Sequence, residues 1–370
     1  MPPVSLLIKP ASGHCQYRCR YCFYADEMAR RSEGARGIMT RDTLARLVRR
    51  AFAASDDYVA FSFQGGEPTL AGLDFFRELI RLQKSYAGGR AAYNSIQTNG
   101  GRIDGEWAAF FRENHFLVGL SMDGNEKTHN LYRLDADGAG TFAQTARAAE
   151  TLAAHGVDFN ILCVVNKDVC ARPAETYEAL RRYRFLQFIP CLDGLEPGAP
   201  SFAPDAVSYG RFLIETFDRY ERDYRRGQYV SVRTFDNYVQ MLLGNPPECC
   251  SMAGRCTCSF TVEADGSVYP CDFYAVDEWK LGNVNSDGFG KMAASETARR
   301  FVETSIPLDG ACRDCGAFFL CRGGCRRERE PFVGGKPSID RYCEGYRLFF
   351  RERMDALRRL AERVRAQRRM

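Results

Sequence analysis

The chain has 370 residues, 45% of them hydrophobic and 26% charged, a balance that supports a sizeable buried core and argues against disorder. That length exceeds what one core usually serves, so a large unit with at least one smaller one is expected. The net charge of +4 is small and the clustered basic residues fall mainly in the closing stretch RERMDALRRLAERVRAQRRM, so nucleic acid is not an expected partner. No apolar run approaches the roughly 20 residues that cross a bilayer. The opening MPPVSLLIKP lacks the basic stretch, long apolar stretch and cleavage site of a secretion signal, so no membrane association and a cytoplasmic location are expected.

In chain order, short runs rich in β-branched and aromatic residues predict strands at 4–10, 58–64, 92–98, 116–122, 158–165 and 184–190. Between them, apolar residues at helical spacing predict helices at 40–55, 73–86, 104–114, 141–155 and 172–183. This alternation predicts an α/β fold of parallel strands covered by helices, and six units suit a partial, TIM-like (β/α)6 barrel whose loops at the strand C-termini carry the chemistry. After residue 200 a helical stretch, SYGRFLIETFDRYERDYRRG, leads into a segment dense in Cys, Gly and Pro from 244 to 343. Within it, FTVEADGSVYPCDF reads as a hairpin with a tight two-residue turn at Asp265-Gly266, and a basic amphipathic helix closes the chain. The expected division is a barrel over 1–230, a cysteine-rich unit over 231–345 and a C-terminal helix over 346–370.

Sixteen cysteines are too many for a reducing compartment to hold as disulfides, and they point to metal ligation. Cys15, Cys19 and Cys22 form C-x3-C-x2-C on the loop after the first strand, followed by Phe23 and Tyr24. Three thiolates hold three irons of a cubane and leave the fourth open, whereas an electron-transfer cluster takes four cysteines. A zinc site would need a fourth ligand, for which His14 is the one neighbour. A second set holds Cys249, Cys250, Cys256, Cys258, Cys271, Cys312, Cys315, Cys321, Cys325 and Cys343, with C-x2-C-x5-C-x3-C from 312 to 325. Spacing alone suits a pair of four-cysteine zinc sites as well as iron–sulfur clusters. Cys163, Cys170 and Cys191 read as small apolar core residues, and no chemistry is assigned to Cys249 or Cys258.

CQYRCRYCF resembles the cluster loop of radical S-adenosylmethionine (AdoMet) enzymes. The resemblance implies that AdoMet chelates the open iron of a [4Fe-4S] cluster and is split to a 5′-deoxyadenosyl radical. QGGEP, residues Gln64, Gly65, Gly66, Glu67 and Pro68, follows the second strand as that family's GGE does, which implies contact with the methionine amino group. QTNG and SMDG end the third and fourth strands; Ser121 with Arg133 resembles the pair that holds ribose and carboxylate, Leu192 an adenine contact, and Tyr24 a residue lining the site. The second cysteine set resembles the SPASM module. By that pattern one auxiliary [4Fe-4S] cluster takes Cys250, Cys256, Cys271 and Cys325 and another takes Cys312, Cys315, Cys321 and Cys343, making three clusters in all.

FSFQGGEPTLAG, YNSIQTNG, FLVGLSMDG, FNILCVV and DGSVYPCDFY are similar to the anaerobic sulfatase-maturating enzymes, over nearly the whole chain. The resemblance implies oxidation of Cys or Ser in a sulfatase Cys/Ser-x-Pro-x-Arg motif to Cα-formylglycine, with a sulfatase polypeptide as substrate and a carrier such as flavodoxin or ferredoxin as electron donor. Asp272, directly after Cys271, is the candidate general base for the substrate's thiol or hydroxyl proton, the electron passing to an auxiliary cluster. A turn aspartate would look the same in sequence. The rival readings are a SPASM enzyme that crosslinks a small peptide, which often has an extra N-terminal recognition domain for which a strand starting at residue 4 leaves no room, and a non-catalytic iron–sulfur or zinc protein.

Overall fold

The computed structural model describes residues 3–194 and 201–368. Six strands, β1 (Val4–Ile8), β2 (Val59–Phe63), β3 (Ala92–Thr98), β4 (Leu117–Ser121), β5 (Phe159–Val165) and β6 (Phe185–Pro190), pair in parallel in chain order. Each is joined to the next through at least one helix, so the six β/α units of the partial barrel are present as the alternation predicts. The helix Arg41–Ala53 shows why: Leu44, Leu47, Val48, Ala51 and Phe52 form one buried stripe at i, i+3, i+4, i+7 and i+8, and Thr40 caps it by accepting a hydrogen bond from the Thr43 N–H. Asp104 caps Gly105–Glu113 in the same way through the Trp107 N–H.

The sheet continues beyond these six strands. β7 (Ser231–Val232) adds in parallel to β6, and a hairpin of β8 (Thr261–Val262) and β9 (Ser267–Tyr269) adds to the opposite edge, with β8 parallel to β1 and β10 (Gly282–Asn283) antiparallel to β9. The cysteine-rich segment is therefore stitched into the barrel's own sheet, through Leu7 opposite Thr261 and Ile8 opposite Val262. The hairpin turn differs from the expected two-residue form. Glu263 pairs with Ser267 and the Gly266 N–H donates to the Glu263 carbonyl, which leaves a three-residue loop with Gly266 at φ +85°. Glycine in the left-handed region is what that longer turn requires.

The closing helix begins at Cys343 and runs to Gln367, against a second long helix, Ala206–Arg225. Their backbones touch at Gly210 and Gly345, where a Cβ on Gly345 would lie 2.1 Å from the Ala206 carbonyl oxygen. Leu213, Phe217, Phe349, Phe350, Leu357 and Leu360 fill the interface and merge with the core behind β4–β6. Among the described residues no helix is long and apolar enough to cross a membrane.

Candidate functional site at the C-terminal ends of the strands

The loop after β1 carries Cys15 and Cys19, and Cys22 is the residue from which the short helix Phe23–Ala29 starts. Cys15 feels the charge of Cys22, and Cys19 feels both Cys15 and Cys22, so the three thiols lie near one another. Burial pushes Cys15 up to about 11 and Cys19 up to about 12. A metal core displaces the protons of the thiols it binds, and the trio Cys15, Cys19 and Cys22 matches the donor set of an open-iron cubane. The Tyr17 N–H and the Asn99 amide both point to the Cys15 sulfur, at 3.4 and 3.5 Å. His14 is exposed, and it is its carbonyl oxygen, accepting from the Glu67 N–H, that the structure uses.

The ten later cysteines sort by proximity. Cys256 feels Cys250, Cys271 feels Cys325 and Cys256, and Cys325 feels Cys250 and Cys256. Likewise Cys312 feels Cys315, Cys321 feels Cys343 and Cys312, and Cys343 feels Cys312 and Cys315. Two quartets result, and burial raises Cys256, Cys271 and Cys325 in the first and Cys312, Cys321 and Cys343 in the second. Cys249 packs against the core and couples to Cys250, while Cys258 couples to Cys256 and lies 3.9 Å from the Ala298 carbonyl. Cys163, Cys170 and Cys191 are buried in the core, as small apolar residues would be. Among the described residues no group of His, Cys, Asp and Glu closes around a single metal ion.

QGGEP occupies the loop after β2 and is packed against the cysteine loop. A Cβ on Gly66 would lie 2.3 Å from the His14 carbonyl oxygen and 2.6 Å from that of Ser12. The absent side chain thus lets two protein loops approach each other closely. Glu67 is buried and both its oxygens are taken within the protein, one by the Thr69 N–H and the Thr69 and Thr98 hydroxyls, the other by the Asn99 N–H. It braces the loops after β2 and β3 and has no oxygen turned to a ligand. Glu67→Ala would leave several buried donors unpaired at about 1–3 kcal/mol each. We expect a fall of at least about 3 kcal/mol in stability, read as a lower melting temperature by calorimetry.

Asp272 lies where the hairpin meets the barrel mouth. Its Oδ1 is 2.5 Å from the Lys9 Nζ and its Oδ2 accepts a 2.9 Å hydrogen bond from the Gln64 amide. Gln64, expected beside AdoMet, therefore holds the candidate base. Lys9 was not singled out in the sequence: it is fully buried at the end of β1, with Nζ also 3.5 Å above the Tyr24 ring. A lysine in the apolar run VSLLIKP was the available signal. The Tyr24 hydroxyl donates to Glu263 and its ring lies beneath Lys9, so Tyr24 supports this wall of the site from behind.

Across the mouth, Ser121 accepts a 2.8 Å hydrogen bond from the Gln97 amide. Arg133 forms a buried two-pronged pair with Asp123 at 2.9 and 3.2 Å, and Asp123 also accepts from the Val164 N–H and the Tyr21 hydroxyl. Asp123, the acid of SMDG, is the alignment residue that sequence reasoning left as a strand end. Leu192 is half-buried just past β6, next to Asp193, which ties this end to the cysteine-rich segment through Arg327 and Arg341.

Residues 10–180 match the Radical SAM superfamily and residues 250–316 match an iron–sulfur cluster-binding domain, SPASM. Fold and site thus define a radical AdoMet protein with a SPASM module. The chain is 41% identical over 98% of its length, and 98% of the relative's, to a cysteine-type anaerobic sulfatase-maturating enzyme of Clostridium novyi. It is 30% identical over 94% of its length, and 89% of the relative's, to a serine-type enzyme of Bacteroides thetaiotaomicron. A solved structure described as native anSMEcpe with bound AdoMet and Cp18Cys peptide superposes with a TM-score of 0.93 at 41% identity, covering 98% of this chain and 100% of that one. The chain belongs to the anaerobic sulfatase-maturating enzymes, radical AdoMet oxidoreductases that use AdoMet and [4Fe-4S] clusters.

Proposed function

We propose that this enzyme oxidises the cysteine of a Cys-x-Pro-x-Arg sequence in a sulfatase polypeptide to Cα-formylglycine, and that Asp272 takes the thiol proton. The observation that carries the reading is the carboxylate of Asp272 held at the barrel mouth by Lys9 and Gln64, on the same wall as the three-cysteine loop. The preference for cysteine follows the cysteine-type relatives at 41–42% identity, against 30–31% for the serine-type ones.

When bound, AdoMet and the clusters supply the radical that removes a Cβ hydrogen and the acceptor for one electron. Loss of that hydrogen, the thiol proton and the electron leaves a carbon–sulfur double bond, which water converts to the aldehyde with release of sulfide. Asp272 is the group positioned for the proton, and Lys9 and Gln64 fix its two oxygens. We assign Cys15, Cys19 and Cys22 to the AdoMet-binding cluster, Cys250, Cys256, Cys271 and Cys325 to the first auxiliary cluster and Cys312, Cys315, Cys321 and Cys343 to the second. The backbone of Gly65 and Gly66 with Ser121, Arg133 and Leu192 forms the AdoMet rim, Arg133 being aligned by Asp123. The sulfatase is met in the cytoplasm, with reducing electrons from a carrier of the flavodoxin or ferredoxin kind.

Anaerobically reconstituted enzyme should hold about twelve irons per chain. Given AdoMet and dithionite, it should convert a Cys-x-Pro-x-Arg peptide to the aldehyde faster than the Ser-x-Pro-x-Arg peptide, by mass spectrometry. Deoxyadenosine without aldehyde from either peptide would remove the assignment, and faster serine conversion would reverse the substrate preference.

A further inference from the structure

The hairpin that delivers Cys271 and Asp272 is anchored to the barrel by a parallel pairing of only two residues on each strand, Leu7–Ile8 with Thr261–Val262. Immediately after β8 stands Glu263, a fully buried carboxylate that the proposed chemistry does not use. Its Oε2 accepts from the Ser12 hydroxyl at 3.0 Å, and its Oε1 accepts from the Arg31 guanidinium at 2.9 Å and from the Tyr24 hydroxyl. Ser12 lies before Cys15; Tyr24 and Arg31 lie after Cys22. One carboxylate therefore ties both ends of the radical-generating loop to the turn of the hairpin. A few residues on, Arg36 reaches the same turn through Asp265 and Ser267, at 2.6 and 2.9 Å.

A buried ion pair of this kind adds little stability over apolar packing of the same volume, and its best-attested use is to specify a register. From this geometry we infer that Glu263 is a positioning residue: it sets the hairpin against the cysteine loop so that Asp272 faces the substrate carbon when the radical acts. The inference rests on the reading of Asp272 as the base. A shift of about 1 Å in such a group is enough to lower a rate by ~10²-fold.

The test uses the full-length, reconstituted holoenzyme with Glu263→Gln, which keeps an acceptor for Tyr24 and removes the charge facing Arg31. Iron content, deoxyadenosine and aldehyde are measured with the Cys-x-Pro-x-Arg peptide. The expected result is wild-type iron and deoxyadenosine with aldehyde per deoxyadenosine reduced about tenfold or more, and no further reduction when Glu263→Gln is added to Asp272→Asn. Unchanged aldehyde per deoxyadenosine would overturn the inference, as would losses that multiply in the double variant. If Glu263→Gln loses its iron, Arg31→Gln breaks the same pair from the other side and must show the same uncoupling; parallel loss of iron, deoxyadenosine and aldehyde there would reduce Glu263 to a folding brace. Asp272→Asn alone reports separately on the base: wild-type aldehyde from it would remove that reading, whereas an impaired Asp272→Asn with a coupled Glu263→Gln would remove only this inference.

Discussion

Asp272→Asn is expected to lower aldehyde formation by ~10²–10⁴-fold, the usual contribution of a positioned proton-transfer group, while deoxyadenosine is still produced. The asparagine amide has the size of the carboxylate but cannot take a proton, and its single oxygen can accept from only one of the two donors, the Lys9 ammonium or the Gln64 amide, that hold the two carboxylate oxygens. The variant therefore loses the proton acceptor and one of the two contacts that orient it. The measurement is the ratio of aldehyde to deoxyadenosine under single-turnover conditions with dithionite. Equal ratios in variant and wild type would make Asp272 a turn residue that caps the end of the hairpin.

Lys9→Met separates orientation from proton transfer. Methionine fills much the same buried volume but carries no charge, so Asp272 would keep Gln64 and lose the ammonium 2.5 Å from its other oxygen. Product formation is expected to fall about tenfold or more because the carboxylate is no longer held in one pose. Lys9→Arg is expected not to rescue it. The Lys9 Nζ is fully buried between the Asp272 carboxylate at 2.5 Å and the Tyr24 ring at 3.5 Å, which leaves no room for the wider guanidinium. Wild-type coupling in Lys9→Met would remove Lys9 from the site, and full rescue by arginine would show that a buried cation of either shape can hold Asp272. With the expected outcomes, the two variants would place the functional wall of the barrel on β1, β2 and the cysteine-rich hairpin.

Much of this was legible because it is written in local patterns. The first six strands lie within one or two residues of their apolar runs, since each is long enough to show β-branched and aromatic enrichment and is bounded by turn residues. The helix Leu73–Tyr86 matches its expected bounds because an apolar stripe at helical spacing is a one-dimensional signal. β7 and β10 were not legible. A two-residue strand has no periodicity, and it exists only because an edge of the sheet offers it hydrogen bonds. The same holds for the junction of the hairpin with β1, a pairing between residues about 250 positions apart that no local pattern encodes.

The sequence by itself determined the cysteine spacing and the alternation of strands and helices, since each depends on residue type and short separation, while Asp272 entered as a candidate base through the resemblance of PCDFY to the family. Only the tertiary structure decided what the glycines and acids of the motifs do: Gly66 makes room for the cysteine loop, Glu67 is consumed as a brace and Gln64 serves Asp272. It also brought in Lys9, Asp123 and Glu263, whose partners lie elsewhere in the chain. The physical reason is common to all three. A charged side chain is tolerated in the interior when folding brings a counter-charge or donors to it, and which groups arrive is settled by how the loops pack.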